Sequence, residues 1–285
     1  MTKLINPKID LEKIIAEAKF SLQTKGYYVA KDLLEVDGYK TAREEGIAFF
    51  KQAVQSKNRL PYSLRGNIGG GMRDVLGYCD NKTWKLYRNC SFTWNKTDHR
   101  IKTIVDISRQ LSRLRNILNE DPPDLGLLIE DDGYSAYTSL SLYPSDGGFL
   151  KIHQDGLEYS DNTHKQGPIL HFKVELTHKV KDYAEGGFSL FDRSKGEMVN
   201  LSDMIEEKDV LFFDGRQPHQ VNRTSGGSLG RIAFFEIPTY VAPESRISLY
   251  TGDGWPRFKT IAMVLANRSL CKAKQVISTI AGSRG

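Results

Sequence analysis

The sequence predicts an α+β protein in which a mainly helical N-terminal third precedes a strand-rich core of the β-sandwich or jelly-roll type. Up to about residue 124, apolar residues recur with helical spacing. Beyond it they alternate with period two in short runs separated by Gly, Pro, Asp and Asn, which is typical of sandwiches and jelly rolls. A tail then returns to helical spacing. We therefore expect helices over 1–124, the core over 125–240 and a helical extension over 241–285, in one structural domain.

Three helices are predicted in the N-terminal part. The first covers about Ile9 to Leu22, and a second covers about Gly38 to Gln55 after a short strand at Tyr27. The third is the clearest, because one face collects Ile101, Ile104, Val105, Ser108, Leu111 and Leu118 before Asp121-Pro-Pro-Asp ends it. Residues 60–95, rich in Gly and aromatic residues, are expected to be irregular.

Composition excludes several classes of function. The 40 basic and 35 acidic residues leave a charge of +5 that is spread along the chain, which argues against a nucleic-acid partner. The first twenty residues lack the apolar run of a signal peptide, and no stretch approaches a membrane span. Three widely spaced cysteines suit a reducing compartment, so we expect a cytoplasmic protein.

A candidate metal site lies in the segment LKIHQDG. Residues two apart in a strand project to the same face, so His153 and Asp155 can point at one ion. Imidazole nitrogen and carboxylate oxygen suit Fe(II), and one further histidine would complete a facial triad with open positions. The pair by itself is a weak signal, because incidental polar residues on a surface strand would look the same.

The context strengthens the signal. In DVLFFDGRQPHQV an apolar strand runs into a polar turn and then His219, 64 residues beyond Asp155. Twelve residues later Arg231 opens the apolar strand GRIAFFEIP. A cation there needs a partner, and a bound dicarboxylate would be suitable, because a guanidinium pairs bidentately with a carboxylate.

The order of H-x-D, a Gly-Gly strand, D-V-L-F-F-D-G-x-x-x-H and an Arg resembles the Fe(II)/2-oxoglutarate-dependent oxygenase superfamily. It is most similar to the prolyl-hydroxylase-like and phytanoyl-CoA-hydroxylase-like small-molecule hydroxylases, over roughly Tyr134 to Pro238. One departure is Lys208-Asp209, where the family often has Gly-Asp. The N-terminal helices fit the resemblance only loosely.

The resemblance implies a double-stranded β-helix, which is a jelly roll, with Fe(II), 2-oxoglutarate as cosubstrate and O2. It implies His153, Asp155 and His219 as catalytic iron ligands and Arg231 as the anchor of the distal carboxylate of 2-oxoglutarate. Tyr143, ten residues before His153, would add a hydrogen bond to the cosubstrate or be a core tyrosine. Because Asp155 occupies the carboxylate position, hydroxylation is the expected reaction, although desaturation or ring closure uses the same iron site.

Substrate contacts are open at this point. Arg73 beside a glycine run, Arg216 just before His219, and His171 are the candidates. His171 alternates with Lys173 and Glu175, so the three share a face. A polar outer face of the sheet is the favoured interpretation, and the lining of a cavity is the alternative.

Three other hypotheses about the function remain. A cupin-type metal enzyme without 2-oxoglutarate would keep the jelly roll but use more histidine ligands. A non-enzymatic β-sandwich binding protein would bind no Fe(II) stoichiometrically. A nucleic-acid demethylase is disfavoured by the mild charge. We expect a free small molecule as substrate, such as an amino acid or a natural-product intermediate, and the oligomeric state is open.

Overall fold

A computed structural model describes residues 4–55, 71–75, 87–93, 101–125, 127, 134–155 and 170–240. The predicted C-terminal helix over 241–285, and Gly69 and Gly70 of the glycine run, lie outside these residues. None of the helices in the described part is long and apolar enough to cross a membrane.

In the described part of the chain, three α-helices form as the apolar spacing predicts: α1 (Leu11–Thr24), α2 (Val36–Gln55) and α3 (Lys102–Leu118). The carboxylate of Asp10 caps α1 by accepting a hydrogen bond from the Lys13 N–H at 3.1 Å, which satisfies an otherwise free donor of the first turn. The predicted apolar face of α3 is buried along its whole length. This face covers one side of the sheet and therefore decides which strand residues meet helices.

The described residues also form ten strands. They are β1 (Tyr27–Ala30), β2 (Gly71–Val75), β3 (Tyr87–Thr93), β4 (Tyr134–Asp146), β5 (Leu150–His153), β6 (Leu170–Glu175), β7 (Glu185–Asp192), β8 (Glu197–Asn200), β9 (Val210–Asp214) and β10 (His219–Tyr240). Strands β2 and β3 fall inside 60–95, so the expectation of irregular structure is wrong for these two stretches. The pairing explains why: β3 runs antiparallel to β4, β2 runs antiparallel to β3, and the two strands extend the sheet.

The sheet is antiparallel, and β10 belongs to two groups of strands. The main path runs β1-β9-β6-β10-β4-β3-β2, whereas β5 and β7 pair with the first part of β10, and β8 pairs with β7. The register of β10 shifts between Ser225 and Gly230, where the strand passes from one group to the other. Gly230 has φ +113°, and a Cβ there would lie 2.1 Å from the Tyr143 carbonyl oxygen. Only glycine allows this approach.

Two apolar clusters mark the two sides of the main sheet. The outer cluster packs the strands against the helices and includes Phe172, Val174 and Phe234. The inner cluster, which includes Phe188 and Phe213, lies on the opposite side. Because side chains alternate along a strand, the residues between the outer apolar ones on β6 and β10 all point inward. The site described next occupies that inward side.

Candidate metal and carboxylate site

The pairing of β5 with β10 brings together the histidines of two distant motifs. His153 ends β5 and stands opposite His219, the first residue of β10. Asp155 lies just beyond β5, where its backbone N–H donates to the Gly215 carbonyl at 2.7 Å. The strand argument for the His-x-Asp pair is thus refined, because the carboxylate is aimed by the turn after β9 and not by the strand itself.

The three side chains converge on one point. The Nε2 atom of His153 lies 3.5 Å from Oδ1 of Asp155, and Nε2 of His219 lies 3.4 Å from Oδ2. One potential ligand atom from each residue falls within 4.8 Å of the others. Two imidazoles and one carboxylate in this arrangement could hold a divalent metal ion with positions left open.

Backbone carbonyls fix the tautomers of both histidines. Nδ1 of His153 lies 2.8 Å from the Lys151 carbonyl, and Nδ1 of His219 lies 2.8 Å from the Gln217 carbonyl. A carbonyl only accepts, so each Nδ1 carries a proton, and each Nε2 faces the centre, where it can bind a metal once it is deprotonated. Metal-bound histidines are oriented by second hydrogen bonds of this kind.

The pKa values of the three residues are shifted: Asp155 and His219 are held in forms that can bind a metal, whereas His153 more readily takes a proton. Burial acts to raise the pKa of Asp155, but hydrogen bonds from His153, His171 and His219 outweigh it and hold the pKa far below its usual range. Burial lowers the pKa of His219, which keeps that imidazole neutral. The pKa of His153 is raised, because its bonds to Asp155 and to the backbone outweigh burial. A cation at the centre would take the place of that proton.

A third imidazole reaches the same carboxylate. His171 is fully buried, with Nε2 3.2 Å from Oδ2 of Asp155 and Nδ1 3.0 Å from the Glu236 carbonyl. The interpretation of His171 as part of a polar outer face is therefore wrong. Gly215 makes the room: a Cβ there would lie 2.2 Å from Nε2 of His171. The inner face of β6 thus contributes directly to the surroundings of the metal site.

The other inward residues of β6 are also buried and charged. Lys173 and Glu175, predicted to face solvent with His171, lie inside, because both sides of β6 are covered. Glu175 accepts a hydrogen bond from Nη2 of Arg231 at 2.6 Å. The sequence predicted that Arg231 needs a partner but did not find this one. The available signal was the period of two in HFKVE, read together with helices that could cover its apolar face.

The remaining candidates divide between the site and other places. Tyr143 lies opposite Arg231 on β4, with its ring centroid 5.5 Å from the guanidinium carbon. Arg216 sits half-buried in the turn before His219, where its backbone N–H donates to Asp214. Arg73 lies on β2, and its side chain is outside the described part of the structure. The roles of these three residues in binding stay predictions.

Comparisons with known proteins give a fold but no sequence match. No family model and no curated protein matches the chain. Among solved structures, the non-heme alpha-ketoglutarate-dependent carbocyclase SnoK from nogalamycin biosynthesis has a TM-score of 0.53 at 14% identity, over 85% of this chain and 93% of that one. EctD from S. alaskensis, solved with 2-oxoglutarate and 5-hydroxyectoine, has a TM-score of 0.52 at 12% identity, over 84% and 81%.

A Pseudomonas putida prolyl-4-hydroxylase is similar as well, with a TM-score of 0.50 at 14% identity over 80% of this chain and 99% of that one. The fold of the protein is therefore the curled antiparallel sheet of prolyl hydroxylases and other Fe/2-oxoglutarate oxygenases. The resemblance seen in the sequence is confirmed at this level.

Proposed function

We propose that the protein is an Fe(II)- and 2-oxoglutarate-dependent dioxygenase that hydroxylates an unactivated C–H bond of a small molecule, releasing succinate and CO2. The observation that carries this proposal is the convergence of His153, Asp155 and His219 on one point of the inner side of the sheet. The similar fold of known oxygenases supports it. We also infer that the two strand groups sharing β10 close as a double-stranded β-helix.

The donor set fits ferrous iron. Two neutral imidazole nitrogens and one carboxylate oxygen suit this metal, and three protein ligands leave positions for a chelating cosubstrate and dioxygen. The two Nδ1–H donors to backbone carbonyls hold the rings in place before a metal arrives. With Asp155 in the carboxylate position, hydroxylation is the favoured outcome.

Arg231 fits the far carboxylate of 2-oxoglutarate. The residue is completely buried, and its Nε and Nη1 atoms have no hydrogen-bond partner among the described residues. Buried donors of this kind are costly unless something accepts from them. A carboxylate is the acceptor whose geometry matches a guanidinium, so the two free nitrogens support this end of the binding mode.

The residues have separate tasks in this proposal. His153, Asp155 and His219 hold the metal, which with 2-oxoglutarate and O2 supplies the oxidation chemistry when bound. Arg231 orients the cosubstrate, and Tyr143 flanks its guanidinium. Phe188 and Phe213 form an aromatic wall that excludes water between the two ends. The substrate is expected among amino acids and natural-product intermediates of the cytoplasm.

A cupin-type metal enzyme that does not use 2-oxoglutarate is the second candidate. The observation that favours it is His171, since a third imidazole beside Asp155 suits the histidine-rich sites of that class. A binding protein without catalysis would need neither the three converging side chains nor their fixed tautomers.

Anaerobic spectroscopy tests these candidates without knowledge of the substrate. An α-keto acid that chelates Fe(II) places a low-lying π* orbital beside an electron-rich metal, so we expect a weak visible charge-transfer band with protein, Fe(II) and 2-oxoglutarate. Succinate lacks the keto group and should give none. Fe(II) binding without the band would favour the cupin-type enzyme, and no Fe(II) binding would favour the binding protein. A succinate-release screen over amino acids and metabolites would then identify the substrate class.

A further inference from the structure

Three charged side chains are buried side by side on the inner face of the sheet. Lys173 and Glu175 project from β6, and Arg231 projects from β10. Their exposed fractions are 6%, 2% and 0%. A buried ion is costly unless another charge balances it, so the charges of this cluster must be considered together. Within this cluster, two basic side chains share one acidic side chain.

Glu175 forms an ion pair with Arg231. Oε1 of Glu175 accepts from Nη2 of Arg231 at 2.6 Å and from the Ser202 hydroxyl at 2.7 Å. The Tyr183 hydroxyl approaches the other oxygen at 3.5 Å. Burial acts to raise the pKa of Glu175, but Arg231 outweighs it and the pKa is lowered. Glu175 is therefore ionised, and it cancels one positive charge while fixing the guanidinium.

Lys173 is the basic residue of this cluster that has no acidic hydrogen-bond partner among the described residues. Its ammonium group has no hydrogen-bond acceptor among the described residues, and its nearest aromatic contact is the Phe188 ring, with the centroid 3.4 Å away. The same Phe188 ring lies 5.7 Å from the ring of His219. The amino group thus packs on a ring that also borders the metal ligand His219, and the charges of Arg231 and Asp155 both act on it.

The surroundings of Lys173 disfavour its charged form. Burial, followed by the charge of Arg231, holds the pKa of Lys173 well below its usual value, while Glu175 and Asp155 act in the opposite direction. A second carboxylate beside the ammonium group would favour its charged form. An anionic ligand would therefore complete the cluster electrostatically and also accept from the free Nε and Nη1 atoms of Arg231.

We propose that Lys173, Glu175 and Arg231 form a charge-balanced carboxylate site in which Glu175 cancels one of two cations, so that the site accepts a single carboxylate and Lys173 supplies the uncancelled charge. This proposal rests on the proposed function, because the carboxylate is the far end of a keto acid bound at the metal. Glu175 is then a positioning residue that also sets specificity. It holds Arg231 in place and limits the site to one negative charge.

Variants of similar size at Lys173 and Glu175 test the charge balance, because they should change the affinity for 2-oxoglutarate in opposite directions. In Lys173→Met the charges of Arg231 and Glu175 neutralise each other, so 2-oxoglutarate should bind at least roughly 10-fold more weakly. Glu175→Gln frees the second cation, so binding should tighten by roughly 3-fold or more. The double variant keeps Arg231 alone and should return to within about 3-fold of the wild type. Anaerobic titration of the Fe(II) protein with 2-oxoglutarate, followed by calorimetry and the charge-transfer band, measures all three.

Two solvent-exposed residues, one in the turn before β8 and one at the start of β8, provide matched controls. Lys195→Met and Glu197→Gln make the same charge changes at solvent-exposed positions and should leave 2-oxoglutarate binding unchanged. Purely structural damage would weaken binding in all three inner variants, so tightening by Glu175→Gln and rescue in the double variant are the decisive results. If Glu175→Gln weakens binding, or if the double variant binds no better than Lys173→Met, the proposal is wrong.

Failure of the two proposals can be told apart. If wild-type protein with Fe(II) does not bind 2-oxoglutarate, the proposed function is overturned and this site with it. If wild type binds 2-oxoglutarate but the variants do not follow the predicted signs, only the charge-balanced site is overturned. If Lys173→Met does not fold, tighter binding in Glu175→Gln decides the proposal. If Glu175→Gln does not fold, the double variant decides it, because binding tighter than in Lys173→Met is expected only if the two charges oppose each other.

Discussion

The side chains on both faces of β6 are buried, but those on one face are apolar and those on the other are polar or charged. On the outer face, Leu170, Phe172 and Val174 belong to the cluster that includes the helices. On the inner face, His171, Lys173 and Glu175 are just as buried but polar or charged. Packing explains the outer face completely, because burial of apolar area stabilises the fold. The inner face costs stability, and the proposed metal and carboxylate ligands would account for its polar groups.

The same contrast continues on β10 as far as Phe234 and ends at Glu236, which faces outward beside the buried Arg115. Ile232 and Phe234 pack outward against the helices, whereas Arg231 points inward with two unpaired nitrogens among the described residues. Natural proteins leave few buried donors without acceptors, so such groups concentrate where a ligand completes them. We therefore expect inner-face substitutions to change function more than stability, and outer-face substitutions to do the reverse.

Removing a metal ligand should give the largest effect. His153→Ala or His219→Ala takes away one of three protein ligands, so activity should be abolished and Fe(II) affinity should fall, while the melting temperature changes little. Anaerobic calorimetry with Fe(II) and a succinate-release assay measure both quantities. His178→Gln, which removes an imidazole bonded to Tyr39 outside the site, serves as the control. Near-normal activity in either alanine variant would contradict the assignment of the metal site.

An outer-face truncation should have the opposite profile. Phe172→Ala removes a fully buried ring between the sheet and the helices, and we expect the free energy of unfolding to fall by about 3–5 kcal/mol. The folded fraction should still bind Fe(II), because no ligand is touched. Phe20→Ala, at an exposed ring on α1, should change stability by less than about 0.5 kcal/mol. Equal losses in both variants, measured by urea denaturation, would show that the outer face is not a packed core.

The smallest expected effect concerns the one acidic residue on the outer face of β10. Glu236 is fully buried beside Arg115, 3.0 Å away, and accepts from the Ser112 hydroxyl. Burial raises its pKa from the ordinary 4.5 to about 7, with Arg115 opposing the rise. The folded protein thus keeps a proton that the unfolded chain releases between these values. Stability from this group should decline as pH rises through that window.

Glu236→Gln isolates this titration. Glutamine cannot lose a proton, so the decline in unfolding free energy between about pH 4.5 and 7 should become shallower. Denaturant titrations at several pH values measure the slope. The exposed Glu197→Gln should keep the wild-type slope, and an unchanged slope in Glu236→Gln would show that Arg115 keeps the carboxylate ionised.

Periodicity in the sequence was enough to predict most elements. The apolar spacing of α3 and the runs of β7, β9 and β10 predicted these elements because each depends on local alternation between buried and exposed positions. The expectation of irregular structure around β2 and β3 was wrong, because β3 forms by pairing with the distant β4 and β2 forms by pairing with β3. The resemblance to iron oxygenases rested on residue order, and the fold comparisons agree with it.

The sequence by itself determined which residue types could form a metal site and the order in which they occur. It also determined that Arg231, at the start of an apolar strand, would need a partner. Only the tertiary structure decided which partner that is and which way β6 faces. Alternation tells two faces apart but does not say which one meets solvent, and here helices cover one side and β7 and β10 border the other. Glu175 and Lys173 became neighbours of Arg231 because strands 56 residues apart in sequence pair in register, which no local pattern encodes.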